Sequence, residues 1–173
     1  YWHLSCSLLH NVIVGDECRL YHIHNYIAKY KIGANTCIEN VNTLLVNGKT
    51  RFGNGVRVPV MNEGGGREIP IFDRLSAPLA YMLTLYRHRP EMIEAVTKMI
   101  DAYAASVESN MGEIGHDVAI INCGSIKNVR IGDHAVLVGT SRLKNGSILS
   151  NAAAPVKLGS GVKCVDFIIC SGV

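Results

Sequence analysis

The sequence predicts a mainly β fold, a three-sided coil of parallel strands interrupted by an inserted α-helical hairpin. Three observations predict it. A seven-residue pattern, apolar, Gly, two variable positions, a small or β-branched residue, one variable position and a second apolar residue, begins at Val14, Ile32, Phe52, Ile114, Ile131 and Leu158. Successive copies start 18, 20, 62, 17 and 27 residues apart, a base period of about three sixes. Between Asn62 and Gly112 the pattern stops, and Leu, Ala, Met and Tyr replace Val, Asn and Gly.

Val14, Leu20, Tyr26, Ile32, Ile38 and Leu44 put an apolar residue at every sixth position. A period of six fits neither an amphipathic helix nor a simple alternating hairpin, whereas short strands joined by corners satisfy it. Three strands per turn make a triangular coil, and coils stack at the strand spacing of about 4.8 Å. Asn35, Gly55, Asp117 and Gly161 suit corners at which the backbone must turn sharply or enter left-handed space.

Residues 1–13 read as the end of an earlier coil, and coils one, two and three then start at Val14, Ile32 and Phe52. The expected interior column is Val14, Ile32, Phe52, Ile114, Ile131 and Leu158. Residues 1–62 form the first part of the coil, 63–112 a Gly-rich loop and helical hairpin, and 113–173 the second part of the same domain. Leu75, Leu79, Met82, Leu83 and Tyr86 fall at helical spacing, as do Ile93, Val96 and Ile100. The expected helices span 76–88 and 90–106, the second opened by Pro90 with Glu91 and Glu94 in its first turn. The Tyr81, Met82 and Tyr86 stripe is expected to be core between hairpin and coil. Aligning the turns places the exit of the hairpin directly after Asn62, and the extra residues near Asn47 and at 145–155 on the same side of the prism.

These residues resemble the hexapeptide repeat of left-handed parallel β-helix proteins, which include acyltransferases and the tail domains of sugar-phosphate nucleotidyltransferases. The resemblance covers roughly residues 8–60 and 112–173. The segments from His24 to Ile27, Asn62 to Glu68 and Leu79 to Pro90 are similar to a longer bacterial hexapeptide-repeat family of unknown function. The resemblance implies the left hand of a coil of about six turns. It also implies acyl transfer from an acyl-CoA, and a homo-oligomer, a trimer favoured, with sites between subunits.

At 173 residues the chain is long enough to bury a real core. Aromatics are only 6%, as a narrow coil filled by aliphatic side chains requires. A net charge of +3 spread along the chain argues against nucleic acid, which calls for a concentrated basic stripe. The six cysteines lack CxxC spacing and read as small buried thiols in a reducing, cytoplasmic setting. No signal sequence or membrane span is visible. Because it starts at Tyr1 without Met and stops partway through a turn at Val173, the chain is expected to be a piece of a longer protein.

His22 and His24 flank an inward Ile23 and face outward, so either could serve as the base that takes a proton from an attacking hydroxyl or amine, His24 first and His22 second. They could equally be surface histidines stacked over Asn40 and Asn42. The ladders His22, Asn40, Val60, Asn122 and His24, Asn42, Asn62 could hold a sugar through amide donors and acceptors, or satisfy one another and the corners. Gly64, Gly65 and Gly66 offer backbone N–H groups beside Arg67, and with Arg87 and Arg89 they form a candidate phosphate site. The bland alternative is a flexible exit with arginines paired on solvated faces. No metal site is expected, as no ligand set accompanies the histidines.

Three functions follow. The first is a transferase acting on a sugar or sugar nucleotide. The second is a noncatalytic β-helix that assembles or positions another domain, with the hairpin as interaction surface. The third is the β-helix part of a sugar-phosphate nucleotidyltransferase.

Overall fold

The computed structural model describes residues 3–5, 8–60 and 64–173. Asn62 and Cys6 therefore lie outside the described residues. The chain runs β1 (His3–Ser5), β2 (Leu8–His10), β3 (Ile13–Val14), β4 (Arg19–Ala28), β5 (Tyr30–Ile32), β6 (Cys37–Leu45), β7 (Arg57–Pro59), β8 (Glu68–Pro70), α1 (Ala77–Leu85) and α2 (Pro90–Ser106). It continues through β9 (Gly112–Ile114), β10 (Ala119–Ile121), β11 (Ser125–Ile131), β12 (Val136–Val138), β13 (Arg142–Ile148), β14 (Lys157–Leu158) and β15 (Lys163–Ile169). Thirteen strands join one large sheet with parallel pairings, and β7 and β8 form a separate antiparallel pair. The molecule is mainly β with two helices.

The register sorts the apolar residues into three inward columns. Val14, Ile32, Ile114, Ile131, Ile148 and Ile169 stand in the first. Leu20, Ile38, Ile120, Leu137 and Leu158 make the second. Leu9, Ile27, Leu44, Ile126, Leu143 and Cys164 make the third. All three meet in one core, in which each fully buried Leu or Ile contributes about 1.5–3 kcal/mol.

Between columns the backbone turns through residues with positive φ, one about every five to seven positions. Glu17, Asn35, Asp117 and His134 stack at one corner, His22, Asn40, Asn122 and Gly139 at the next, and Asn11, Lys29, Asn128, Asn145 and Asp166 at the third. Asn and Asp recur because a short polar side chain tolerates left-handed backbone better than most.

Tyr30 is the one aromatic side chain among the largest fully buried residues of this core. Its hydroxyl donates to Val129 O at 2.9 Å and accepts from Val129 N at 3.3 Å, so burial leaves no unpaired polar atom there. The ring lies over Gly112, where an added Cβ would come within 2.3 Å of a ring carbon. Only glycine fits beneath it.

Two expectations about the columns are corrected by the register. Phe52 does not join the first column, because Ile32 pairs directly with Ile114 and Ile38 with Ile120. Phe52 caps the stack from the side instead, buried, with its carbonyl accepting from Ser147 Oγ at 2.7 Å. Leu158 belongs to the second column: Ile148 has taken the place expected for it, and ten residues rather than six separate Ile148 from Leu158.

The long excursion accordingly leaves after Val46, well before Asn62, and returns at Gly112. Thr50 and Ser109 close its neck as an isolated antiparallel bridge. The extra residues at 151–155 sit between the first and second columns, so the insertions do not share one edge. Inside the excursion, Ile69, Phe72, Leu83 and Ile100 form a second core, supported by Val58, Val60, Leu79, Val96 and Tyr103. The helices stand where the spacing predicts, α1 capped by Ser76, whose side chain accepts from Leu79 N. Both pack on β8. Arg57 reaches both carboxylate oxygens of Asp101, at 3.1 and 2.9 Å, and Arg51 pairs with Glu108 at 3.0 Å across the neck.

Candidate functional site

Both histidines of the predicted edge are exposed, and His24 is bonded along the stack. His22 is an exposed corner residue with φ 48°. β4 carries one residue more than β6 between the pairs Ile23 with Val41 and Tyr26 with Thr43, a bulge that falls at His24 and Asn25. From there His24 Nε2 meets Asn40 Oδ1 at 2.5 Å. Asn40 Nδ2 in turn donates to Asn122 Oδ1 at 2.6 Å. Because the amide nitrogen of Asn40 is the donor to Asn122, its oxygen is the acceptor, and His24 Nε2 carries the proton. The nitrogen nearest the Asn ladder is a donor, the wrong role for a base. Asn25 Nδ2 donates to Asn42 Oδ1 at 2.5 Å in a parallel ladder. The ladders thus run His24, Asn40, Asn122 and Asn25, Asn42; Val60 leaves with the excursion, and Asn62 lies outside the described residues.

The Gly-rich loop joins β7 to β8, and the carboxylate of Glu68 occupies its backbone. Gly66 N donates to Glu68 Oε1 at 3.0 Å. Hydrogen bonds from its own backbone N–H and that of Gly66, with Arg87 nearby, hold the Glu68 carboxyl below the ordinary glutamate range. Arg87 spans back to Glu68 O at 3.2 Å, while its Nε is buried without a partner. Arg67 and Arg89 are exposed. Of the three candidate phosphate ligands, Arg67 lies in this turn and Arg87 reaches it, and the Gly66 N–H there is engaged by the chain's own anion.

A groove of about 560 Å³ that the candidate residues do not line runs along the first column. Its floor is Gly15, Gly33, Gly115 and Gly132, each donating its N–H to the column residue of the next level at 2.8 to 2.9 Å. A Cβ on Gly33 would sit 2.5 Å from Gly115 O, so the bare floor is a condition of stacking. Lys31, Glu113 and Arg130 line the groove with Asp16, His116 and Asp133, and Arg130 pairs with Glu113 at 2.6 Å. His116 Nδ1 accepts from Ala34 N at 3.0 Å, which puts the ring proton of the neutral form on Nε2. This histidine also presents a donor. The repeated glycine was the signal for the groove, legible in the motif itself.

The hairpin differs in kind. Leu79, Ala80 and Leu83 turn α1 onto the second core. Tyr81, Met82 and Tyr86, expected to be core, are 60%, 39% and 42% exposed, and Leu85 beside them is 51% exposed. Burial raises the thiol pKa of Cys18, Cys37, Cys123 and Cys164, and the five described cysteines are free. Among the described residues no group of three His, Cys, Asp or Glu is placed to hold a metal ion, and no helix is long and apolar enough to cross a membrane.

A family model described as a domain of unknown function, DUF4954, matches residues 2–173. An uncharacterized protein of Treponema pallidum (strain Nichols) is 28% identical over 177 residues, covering 96% of this chain and 24% of that protein. The chain spans about a quarter of the length of that relative. No solved structure matches. The match corrects the resemblance drawn from the repeat, for DUF4954 is a family distinct from the hexapeptide-repeat acyltransferases and nucleotidyltransferase tails. With the family model spanning residues 2–173, the chain belongs to the DUF4954 family.

Proposed function

We propose that this chain is a noncatalytic scaffold segment of a longer cytoplasmic protein. It is wound as a left-handed parallel β-helix that holds a helical hairpin out as an interaction surface. Support for the winding comes from the three inward columns and from a positive-φ corner after each short strand. Free cysteines whose burial keeps them protonated suit a reducing compartment. The trimer expectation rested on the corrected resemblance and is not part of this reading.

One contrast carries the proposal. At the histidine edge His24, Asn25, Asn40, Asn42 and Asn122 are bonded to one another along the stack, while the hairpin leaves an apolar helix face open to water. A base poised for acyl transfer needs a free lone pair within reach of a substrate proton. The lone pair of His116 Nδ1 is taken up by Ala34 N, and the His24 nitrogen that faces the Asn ladder is a donor.

The test has two arms. Replacing 56–106 by a short Gly-Ser linker keeps Phe52 and the Thr50 to Ser109 neck, and the shortened chain is expected to retain a cooperative β transition by circular dichroism. Incubation of the intact chain with acetyl-CoA and a panel of sugars, sugar nucleotides and amines is expected to release no free thiol above the buffer rate. Turnover that disappears in His24→Ala, His22→Ala or His116→Ala would defeat the scaffold reading.

A further inference from the structure

We propose that the outward face of α1 docks an acidic amphipathic helix supplied by another protein. The inference rests on the scaffold reading and names the chemistry of its partner.

Tyr81, Met82, Leu85 and Tyr86 recur at the i, i+1, i+4, i+5 positions of one helical stripe, the spacing that elsewhere marks a core-facing side. The adjoining side of α1, with Leu79 and Leu83 three residues before Met82 and Tyr86, is already committed to the second core together with Ala80. The exposed stripe is therefore a second apolar face on a helix that has satisfied its first. Tyr offers large contact area at small entropic cost, and Met adapts to irregular surfaces.

Charge at the end of the stripe selects the partner. His88 packs its ring 5.7 Å from that of Tyr86, Arg89 follows directly, and the Arg87 bond to Glu68 O brings the turn bearing Arg67 to the same end. The side chains of Arg67 and Arg89 make no ion pair or hydrogen bond among the described residues. Of the carboxylates of α2, Glu94 is engaged with Lys98 at 2.7 Å and Asp101 with Arg57, which leaves Glu91 beside Arg89. A helix with an apolar stripe flanked by Asp or Glu complements both features.

Two other occupants fit less well. A second copy laid against α1 would bring another cluster of arginines and no free acidic rim beyond Glu91. An anionic membrane surface recruits clusters of about four to eight Lys or Arg, more than the three arginines here, and α1 is only nine residues long.

The experiment is a selection of displayed helical peptides on the immobilised intact chain, followed by anisotropy titration of the enriched peptides. Enriched sequences are expected to carry apolar residues at i, i+3, i+4 and i+7 with an excess of Asp and Glu beside them. Affinity should fall at least about tenfold in Leu85→Asp, and in Met82→Asp as an independent variant. Arg67→Glu with Arg89→Glu should weaken the same peptides and favour versions in which their acids are changed to Lys. Both stripe positions are exposed, so an unchanged melting curve accompanies these losses. Peptides without acidic bias, binding indifferent to Leu85→Asp, or no enrichment over an unrelated protein overturns the proposal. So does Leu85-dependent sedimentation with vesicles of about 70% phosphatidylcholine and 30% phosphatidylserine, or a dimer abolished by Leu85→Asp. Failure of the selection leaves the scaffold reading intact, whereas histidine-dependent turnover sinks that reading without touching the peptide result.

Discussion

The stack and the hairpin solve the same problem with opposite logic. In the stack each position repeats one level up and one level down, so a side chain finds its partner in a copy of itself: Asn40 bonds Asn122, Asn25 bonds Asn42 and Asn145 bonds Asp166. In the excursion there is no copy to lean on. Its small core is unique, its arginines reach for carboxylates by individual ion pairs, and of the three buried polar side-chain atoms without a partner among the described residues two, Asp73 Oδ1 and Arg87 Nε, belong to it. Repetition exhausts the bonding capacity of a surface. A one-off insertion leaves some of it open.

That contrast can be broken most directly from inside. Tyr30→Ala removes a fully buried ring and should cost the stack about 3–5 kcal/mol in denaturant unfolding. Tyr30→Phe isolates the pair of hydrogen bonds to Val129 and should cost about 1 kcal/mol, or somewhat more for the unpaired carbonyl left behind. Leu83→Ala should remove about 2–5 kcal/mol from the second core. Hydrogen exchange then sharpens the comparison: amides of α1, α2 and β8 should lose protection while those of β6, β10 and β11 keep theirs. Equal loss in both regions would mean that the two cores unfold as one.

Smaller effects test the ladders. Asn40→Ala breaks contacts to both His24 and Asn122 at an exposed corner, and it also places a less tolerant residue at φ 53°. A loss of about 1–2 kcal/mol is expected, larger than for His24→Ala, which should stay below about 1 kcal/mol. The least effect concerns pH. Glu68 has a lowered pKa, so the support its carboxylate gives the Gly64 to Glu68 turn is present above the usual glutamate value of 4.5 and is lost as pH falls through the lowered one. The Gly66 amide resonance should follow that titration with a midpoint below 4.5, and Glu68→Gln should abolish it.

The three-sided interior was legible because a six-residue apolar period admits few other folds, and the hairpin because helical spacing and Pro90 delimit it. What misled was the motif's indifference to position. Any of the three sides can host the same apolar-Gly unit, so Leu158 carries the right residues on a different column, four added residues having advanced the phase. Phe52 to Val58 matches the pattern while its strand, β7, pairs antiparallel with β8, a choice fixed by a long-range bridge between Thr50 and Ser109. The stripe on α1 was seen as helical but turned the wrong way. A helix that is apolar nearly all round does not announce which face meets the core. At the histidine edge the sequence placed His22 and His24 outward correctly, yet the bulge that carries His24 to Asn40 depends on a one-residue mismatch between β4 and β6.

The neck has a consequence for how such proteins diversify. Thr50 and Ser109 exchange both backbone hydrogen bonds, at 2.8 and 2.9 Å, so the second core, beyond the Phe52 that packs on the stack, is reached through a single doorway. Closing a longer loop through that doorway costs only about 0.6 kcal/mol for each doubling of its length. Evolution, or an engineer, can therefore swap the cargo at this port while the parallel strands beneath keep their register.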